Sequence, residues 1–178
     1  MRASKRETIL DAAVEVAELH GYGGVTMDAV AEAAGLTKGG LMYHFGSKEA
    51  LLLGIQEHLA AGWERELEAA AGKPAAECTP RERVAAYVRV SVKSASRAEL
   101  IMQLEAAPDP TLSAPWNGVF DRWRPAVESD PRNAAGMAAQ VVLLAADGLW
   151  TTEALGVGSL DPADRERIIG HLIGMLAD

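Results

Sequence analysis

The chain has 178 residues, of which 49% are hydrophobic and 24% are charged, as in an ordinary water-soluble globular protein. Its longest apolar run stops at Asp147, too short to cross a membrane, and no apolar signal core follows the basic residues Arg2, Lys5 and Arg6. The single cysteine, Cys78, excludes an internal disulfide, so we expect a cytoplasmic protein with no membrane partner.

The net charge of −8 argues against nucleic acid as a partner, but the charge is unevenly distributed. Residues 1–50 carry five basic and seven acidic side chains, a net charge of −2, which leaves −6 for residues 51–178. No acidic residue lies between Glu32 and Glu49, the segment that contains Lys38. A small basic surface on an acidic body can bind DNA while the body repels wrong sequences, although this pattern alone does not predict DNA binding.

Capping residues divide the first 71 positions into four predicted helices. Ser4 and Glu7 have the spacing of a capping box, which starts the first helix, and the glycines near 21–24 end it. The next three helices are predicted at Thr26 to Ala34, Thr37 to about Phe45 and, after the cap Ser47, Lys48 to Ala71.

The rest of the chain is also predicted to be helical, after a linker at 72–78. Three helix starts place proline directly after a capping residue, at Thr79-Pro80, Asp130-Pro131 and Asp161-Pro162. Pro108, Pro110 and Pro115 are expected to break the chain near residue 110. The expected helices span about 80–95, 97–106, 113–128, 132–156 and 162–177, which gives an all-α protein of about nine helices.

Residues 26–45 have the spacing of a helix-turn-helix. This motif needs a small residue where its helices cross, a glycine where the turn takes positive φ, and an apolar residue on the second helix. Ala31, Gly35 and Leu41 supply these three in order. A simple αα-hairpin remains an alternative, because alanine and glycine are common in this chain.

The pair Gly39-Gly40 favours the DNA-binding interpretation. Each glycine inside a short helix costs up to ~1 kcal/mol relative to alanine, and a helix gains from that only where it must lie flush against DNA. The side chains then placed to reach phosphate oxygens belong to Lys38, Tyr43, His44 and, at the start of the next helix, Lys48.

The stretch RETILDAAVEVAELHGYGGVTMDAVAEAAGLTKGGLMYHFGSKEALLLGIQEHL resembles the DNA-binding domain of the TetR family of regulators, and its block TKGGLMYHFGSKEALL is highly specific to that family. The resemblance implies a helix-turn-helix domain at 1–46, a ligand-binding and dimerisation domain at 47–178, and a homodimer on operator DNA. Gly46 stands where the family more often has proline. The residues implied to face DNA are Thr26, Thr37, Lys38, Gly39, Gly40, Tyr43, His44 and Lys48.

The segments LIMQLEAAPDP, 116–123 and AADGLW resemble the multidrug-binding subgroup of this family, whose members repress efflux pumps. Since the acidic charge of this region would concentrate cations, we expect a small, lipophilic, cationic inducer. A metabolic operon with a neutral metabolite as ligand is the alternative. Repression is the family's habit, and nothing in the residues excludes an activator.

A cavity beside the fourth helix is predicted to bind this inducer. Rings suit flat molecules, and an acidic side chain can balance a positive charge. Asp147 lies alone in an apolar helix, where a structural partner is favoured over a ligand; Glu105 is either a pocket residue or solvated, and Glu153 is a third acidic candidate. The predicted lining is Trp63, Leu100, Met102, Leu104, Glu105, Trp116, Phe120, Trp123, Met137, Asp147 and Trp150, with plain core packing as the alternative for the tryptophans.

The last two helices are predicted to form the dimer interface, because they carry more apolar surface than one small domain needs to bury. Gly148 and neighbouring alanines would permit a close four-helix contact across a two-fold axis. The apolar residues of this interface are Val141, Leu144, Ala145 and Leu149 on one helix and Ile168, Ile169, Leu172 and Ile173 on the other.

No catalytic motif or phosphate-binding loop is recognisable, so neither an enzyme nor a cofactor is expected. The segment GVGSLD at 156–161 lacks the third glycine of a dinucleotide fingerprint, and His20, His58 and His171 do not have metal-ligand spacing. Two alternatives of other classes remain: a helical enzyme in which the hairpin is incidental, and a helical adaptor with no DNA role.

Overall fold

The computed structural model of the protein describes residues 4–92, 96–124, 134–157 and 160–176. Within these ranges the chain is helical and forms no strand, which confirms the all-α prediction. The elements are α1 (Lys5–Gly24), α2 (Met27–Ala33), α3 (Lys38–His44), α4 (Lys48–Ala71), a short 3-10 turn (Ala75–Glu77), α5 (Pro80–Ser91), α6 (Arg97–Ala106), α7 (Pro110–Trp123), α8 (Ala134–Ala154) and α9 (Pro162–Gly174).

Side-chain caps start several helices at the predicted positions. Ser4 and Thr79 each form the expected capping box with the glutamate three residues later. Asp161 caps α9, with proline at its first helical position. A further capping box, at Ser96, starts α6 and adds to the predicted set. The predicted helix start at Asp130-Pro131 lies outside the described residues.

The chain is interrupted between α6 and α7 near residue 110, as predicted, but α7 begins about three residues earlier than expected. The helix begins at Pro110, and proline is tolerated there because an N–H at the first helical position would have no partner within the helix. The Asp109 carboxylate accepts a hydrogen bond from Thr111 N–H at 2.8 Å. It continues through Pro115 and ends at Trp123, short of the predicted end. The predicted break is therefore present, and Pro110 is also the first residue of the helix that follows it.

Two compact units make up the chain. The first consists of residues 1–61 and 96–116; within it α1 packs against α2 and α6, and α2 packs against α3. Its fully buried side chains include Ile9, Leu10, Val30, Leu41, Leu51, Ile55 and Met102. Helix α6 therefore shares a core with the helix-turn-helix segment, although it follows that segment by more than 50 positions in the chain.

The second unit consists of residues 62–95 and 117–178. In it α5 packs against α8 and α9, and its buried side chains include Trp63, Leu67, Val84, Val88, Trp123, Val142 and Ala146. Helices α4 and α7 each contribute residues to both units. Among the described residues, no helix is long and apolar enough to cross a membrane.

Candidate DNA-binding surface and effector region

The turn between α2 and α3 has the backbone that the sequence predicts. Gly35 adopts φ +65°, a conformation that favours glycine. Gly35 N–H donates to Glu32 O at 3.0 Å and Leu36 N–H donates to Ala31 O at 2.8 Å, which is the Schellman arrangement that ends a helix. Ala31 and Leu41 are buried where the two helices meet. The residues that define the motif therefore perform their predicted structural roles.

Two threonines of the predicted DNA-binding set cap these helices. The Thr26 hydroxyl accepts a hydrogen bond from Ala29 N–H, and the Thr37 hydroxyl accepts one from Gly40 N–H, each at 3.1 Å. Both side chains are exposed. Because a hydroxyl that accepts one hydrogen bond still has a proton to donate, each hydroxyl can also donate a hydrogen bond to a phosphate oxygen.

The paired glycines of α3 are not required by packing within the chain. A Cβ atom built on Gly39 would meet only Thr37 Oγ1, at 4.0 Å, and one built on Gly40 would lie 3.4 Å from the same atom. Neither residue has positive φ. The chain thus gains nothing internally from leaving out these two side chains, which keeps the outer face of α3 open to a second molecule.

The charged and aromatic side chains on and near α3 are largely accessible. Tyr43 is 87% exposed, and its ring meets that of His44 edge-on, with 5.4 Å between centroids. Lys48 is half-buried at the first position of α4, after Ser47, whose hydroxyl accepts from Ala50 N–H at 3.2 Å. Met42 is also exposed on α3 and was missed by the sequence reasoning, which treated large apolar residues as core.

Two acidic residues lie beside this surface. Lys38 Nζ forms an exposed ion pair with Asp28 Oδ2 at 2.9 Å, although Asp28 precedes the acid-free segment by several residues. Hydrogen bonds from its own backbone N–H and from the Ser47 hydroxyl lower the pKa of Glu49, which keeps a negative charge at the start of α4. The surface is therefore less basic in three dimensions than along the sequence.

Helix α6 is fixed to the rest of the first unit by polar contacts, of which those of Gln56 are buried. The Glu18 carboxylate of α1 accepts from Ala98 N–H in the first turn of α6 at 2.6 Å. The buried Gln56 of α4 donates to Met102 O and accepts from Trp116 Nε1, both at 2.8 Å. Met102 and Trp116, both predicted to line a ligand cavity, thus belong to the core of this unit.

The neighbouring residues of α6 lie at the surface of the first unit. Leu100 is half-buried, Leu104 is 70% exposed, and Glu105 is exposed. Burial, together with the negative charges of Glu105 and Asp109, raises the pKa of Tyr22, which places Glu105 near the end of α1. Within this unit Leu104 and Glu105 therefore do not line an enclosed cavity.

In the second unit, Asp147 has two protein partners. Tyr87 Oη donates to Asp147 Oδ1 at 2.7 Å, and Arg124 Nη2 lies 2.9 Å from Asp147 Oδ2. Asp147 therefore has protein partners of the kind that the sequence analysis favoured over a ligand, and its contact with a ligand stays a prediction. Burial and the charge of Asp147 raise the pKa of Tyr87, so its hydroxyl stays protonated and keeps donating. Neither partner is adjacent to Asp147 in the sequence, so no local pattern could identify them.

Aromatic rings lie beside Arg124 and contact one another. The Trp63 ring meets those of Tyr87 and Trp150 edge-on, each at 6.1 Å between centroids. The Arg124 guanidinium lies 5.4 Å from the Tyr87 ring centroid and 5.7 Å from that of Phe120. These contacts bring together four of the predicted ligand residues: Trp63, Phe120, Asp147 and Trp150.

The predicted ligand set is nevertheless divided between the two units. Leu100, Met102, Leu104, Glu105 and Trp116 belong to the first unit, and the remaining six belong to the second. Trp123 is fully buried in the second unit, and Met137 is half exposed on α8. Glu153, the third acidic candidate, forms an ion pair with Arg165 at 2.8 Å.

One face of α8 leaves apolar side chains uncovered. Val141, Leu144 and Gly148 are exposed at helical spacing, and Leu144 is 68% accessible. On α9, by contrast, Ile169 and Leu172 are buried. These two residues belong to the core of the second unit, so the expectation that they supply surface for a partner is wrong.

Two other sequence features have structural explanations. Gly156 has φ +66° and ends α8 with Schellman hydrogen bonds, so the first glycine of GVGSLD terminates a helix. Gly158 and Ser159 of this segment lie outside the described residues. His58 pairs with Asp11 at 2.8 Å. Over the ranges that the structure describes, no group of three or more His, Cys, Asp or Glu side chains could hold a metal ion.

A helix-turn-helix with an open second helix, followed by a second helical unit, defines the class of DNA-binding regulators with an effector region. Two family models match this chain: "Bacterial regulatory proteins, tetR family" over residues 9–55 and "Tetracyclin repressor-like, C-terminal domain" over residues 81–177. The second match alone covers more than half of the chain. The protein belongs to the TetR family of transcriptional regulators.

Individual relatives agree with this assignment. The HTH-type transcriptional regulator BetI of Rhizobium meliloti is 40% identical over 94 residues, which cover 53% of this chain and 45% of that protein. The chain thus matches about half the length of this relative. A transcriptional regulator from Rhodococcus has the same fold, with a TM-score of 0.73 at 19% identity over 97% of this chain and 96% of its own. A regulator from Saccharomonospora viridis, in complex with choline, has a TM-score of 0.68 at 21% identity over 94% and 92%.

Proposed function

We propose that the protein is a repressor that binds a palindromic operator as a homodimer, leaves DNA when a small lipophilic cation binds, and controls an efflux pump. Residues 1–46 then form the DNA-binding domain, and residues 47–178 bind ligand and dimerise. The observation that carries the proposal is the outer face of α3, where two glycines have no packing role beside an exposed tyrosine. A helix that keeps such costly glycines gains only through close approach to another molecule.

The proposed DNA contacts follow from accessibility and charge. Lys48 and Tyr43 bind phosphates, and Lys38 binds a phosphate or a base edge. Lys38 must first leave Asp28, which costs little because exposed ion pairs contribute only ~0–1 kcal/mol. The two capping threonines, Thr26 and Thr37, and the paired glycines allow the backbone to come close, and His44 completes the set.

A homodimer explains both the length of α3 and the uncovered face of α8. Helix α3 has only seven residues, which read too few base pairs for useful specificity, so two copies must act together on half-sites about one helical turn apart. The exposed residues Val141, Leu144 and Gly148 provide a self-complementary apolar surface when two copies of α8 meet across a two-fold axis.

The rings and carboxylates of the second unit support a cationic ligand. The Tyr87 hydroxyl donates to Asp147, and the rings of Tyr87 and Phe120 lie beside its ion-pair partner Arg124. The Tyr87 ring also contacts Trp63, which contacts Trp150. Rings near a carboxylate are a combination that attracts organic cations. The Saccharomonospora viridis relative holds choline, a quaternary ammonium cation, which makes that class the first to test.

A neutral metabolite is the second candidate ligand. The specific observation that favours it is the Arg124–Asp147 ion pair, because this pair balances the acidic charge before any ligand arrives. In that case the protein controls a metabolic operon with the same DNA-binding geometry.

The contacts of α6 support a role for this helix in coupling between ligand and DNA. Helix α6 is fixed to α1 through Glu18 and to α4 through Gln56, so a displacement of α6 acts directly on the helices that support α3. A ligand that binds better to a conformer with its recognition helices wrongly spaced shifts the population away from DNA. By linkage, DNA weakens ligand binding by the same factor.

Selection of bound sequences from a random DNA pool tests the DNA-binding half of the proposal. Purified protein should enrich a palindrome with half-sites about one helical turn apart. Fluorescence anisotropy on that palindrome, with choline, a dye-like aromatic cation and neutral analogues added in turn, then tests the ligand half. Tryptophan fluorescence of the same samples reports binding separately from release.

The outcomes separate the alternatives. Failure to enrich any sequence contradicts the regulator proposal itself. Quenching by a cation without loss of operator binding contradicts the switch. Release by a neutral compound and by no cation favours the metabolic alternative.

A further inference from the structure

Arg124 has an unusual set of neighbours for a half-buried charge. It follows directly after α7, and its guanidinium lies over the rings of Tyr87 and Phe120 and beside the carboxylate of Asp147, with Nη2 2.9 Å from Oδ2. All four residues belong to the second unit. A positive charge of the protein itself therefore occupies a position bounded by two aromatic rings and an anion.

Those neighbours are the groups that recognise organic cations. Ring faces within about 6 Å of a cation attract it through their quadrupole, and a nearby carboxylate adds charge. The Tyr87 hydroxyl donates to Asp147 at 2.7 Å, so it holds the carboxylate in place whether or not Arg124 is present. Removal of the guanidinium would leave a partly desolvated anion between rings, which is a site for a cation and not for an anion.

We propose that Arg124 is the internal occupant of this cation site, and that an organic ammonium ligand binds by displacing its side chain from Tyr87, Phe120 and Asp147. The inference rests on the proposed function only in that the second unit is taken to bind the ligand. It adds the location of the ligand site and names Arg124 as the side chain that competes with the ligand for it. About a third of the Arg124 side chain is accessible, so it can swing into water without unpacking the core. The exchange preserves net charge in the site.

Internal competition has a measurable consequence. The apparent dissociation constant of the ligand equals the intrinsic constant divided by the fraction of molecules in which Arg124 has left the site. Weak or strongly hydrated cations then fail to displace it. A quaternary ammonium, which is weakly hydrated and interacts well with ring faces, is the cation type best suited to the exchange.

The test measures binding of benzyltrimethylammonium to the DNA-free, full-length protein by calorimetry. Arg124→Ala should tighten binding about tenfold, since the ligand no longer competes with a cation–π contact and a partly buried ion pair. The matched control is Arg122→Ala, because Arg122 is in an ion pair with Glu64 at 2.6 Å, two positions away and without these rings. That control should leave the affinity unchanged.

Two further variants separate the ring site from plain charge. Arg124→Ala with Phe120→Leu keeps Asp147 unpaired but removes one ring, and it should lose most of the gain. A neutral isostere of the probe, with carbon in place of nitrogen, should not bind more tightly to Arg124→Ala. An equal gain for the neutral isostere, or no gain for the cation, overturns the inference.

The wild-type protein supplies an independent measurement if Arg124→Ala does not fold. Nuclear magnetic resonance of the Arg124 Nε–H group should move from a ring-shifted to a solvent-like position as the probe is added. An unmoved resonance at saturating probe contradicts displacement. None of these readouts involves DNA, so the two proposals can fail separately. If cations release the operator without displacing Arg124, the proposed function is supported and this site is refuted. If cations displace Arg124 without releasing the operator, this site is supported and the proposed release from DNA is refuted.

Discussion

The two compact units use their charged side chains in opposite ways. In the first unit, Lys38 and Asp28 form a pair whose side chains are more than half exposed, so Lys38 can exchange Asp28 for a phosphate or for water at little cost. In the second unit, Arg124 and Asp147 are only about a third exposed and are enclosed by rings. Under the proposed exchange, a ligand that displaces Arg124 must replace both its charge and its ring contacts. The site would therefore select among cations and would not accept every cation.

A similar contrast holds for apolar surface. In the first unit, helix α3 exposes Tyr43 and Met42 on only seven residues, which is too little apolar surface to hold a protein partner. The second unit leaves a row along α8, a helix of 21 residues. The difference supports the proposal that α3 contacts a polar partner and that α8 contacts another apolar face.

The largest expected effect concerns that row on α8. Leu144→Glu should convert the dimer to a monomer of 18.8 kDa in light scattering, because a charge would be buried at the two-fold axis. Operator binding should fall with it, since two α3 helices must act together. Leu19→Glu, at an exposed apolar position of α1, is the matched control and should stay dimeric. A Leu144→Glu dimer would remove the assigned role of this face.

The next effect tests how firmly the first unit holds α6. Gln56→Ala leaves Met102 O and Trp116 Nε1 without their buried partner and opens a cavity, which should destabilise the protein by roughly 2–4 kcal/mol in urea unfolding. Glu66→Ala, at an exposed position of α4, should change stability by less than ~0.5 kcal/mol. Equal stability of the two variants would show that this buried network does not stabilise the fold.

The third effect has opposite signs for folding and for DNA. Gly39→Ala should stabilise the free protein by up to ~1 kcal/mol, since nothing obstructs the added methyl group, and should weaken operator binding. Gly62→Ala in α4, whose added Cβ atom would make only an ordinary contact, should stabilise the protein without any change at the operator. Unchanged operator binding by Gly39→Ala would mean that α3 does not approach DNA through this face.

The smallest effect concerns a single phosphate contact. Lys48→Ala should weaken binding to operator and random DNA by similar factors, and it should reduce the magnitude of the salt dependence by about one unit. Lys73→Ala, which removes a lysine paired with Glu82, serves as the control and should leave the slope unchanged. A normal salt dependence in Lys48→Ala would remove this residue from the phosphate-binding set.

The sequence predicted the first unit better than the second for a physical reason. A cap, a turn glycine and a helix crossing depend on residues a few positions apart, so Thr26, Gly35 and Leu41 have the backbone and burial that their spacing predicts. The start of α7 was placed about three residues late, because proline has opposite effects at the first helical position and in the interior, and spacing alone did not assign Pro110 to the first position.

The sequence by itself determined the all-α class, the helix-turn-helix and the family to which the chain belongs. Only the tertiary structure decided that Asp28 holds Lys38, that α6 shares a core with α1, and that Arg124 and Tyr87 enclose Asp147. Hydrophobic periodicity shows which face of a helix is buried, but it carries no information about which distant helix will cover that face. Side-chain charges pair by distance in space, and that distance is fixed only after the helices have packed.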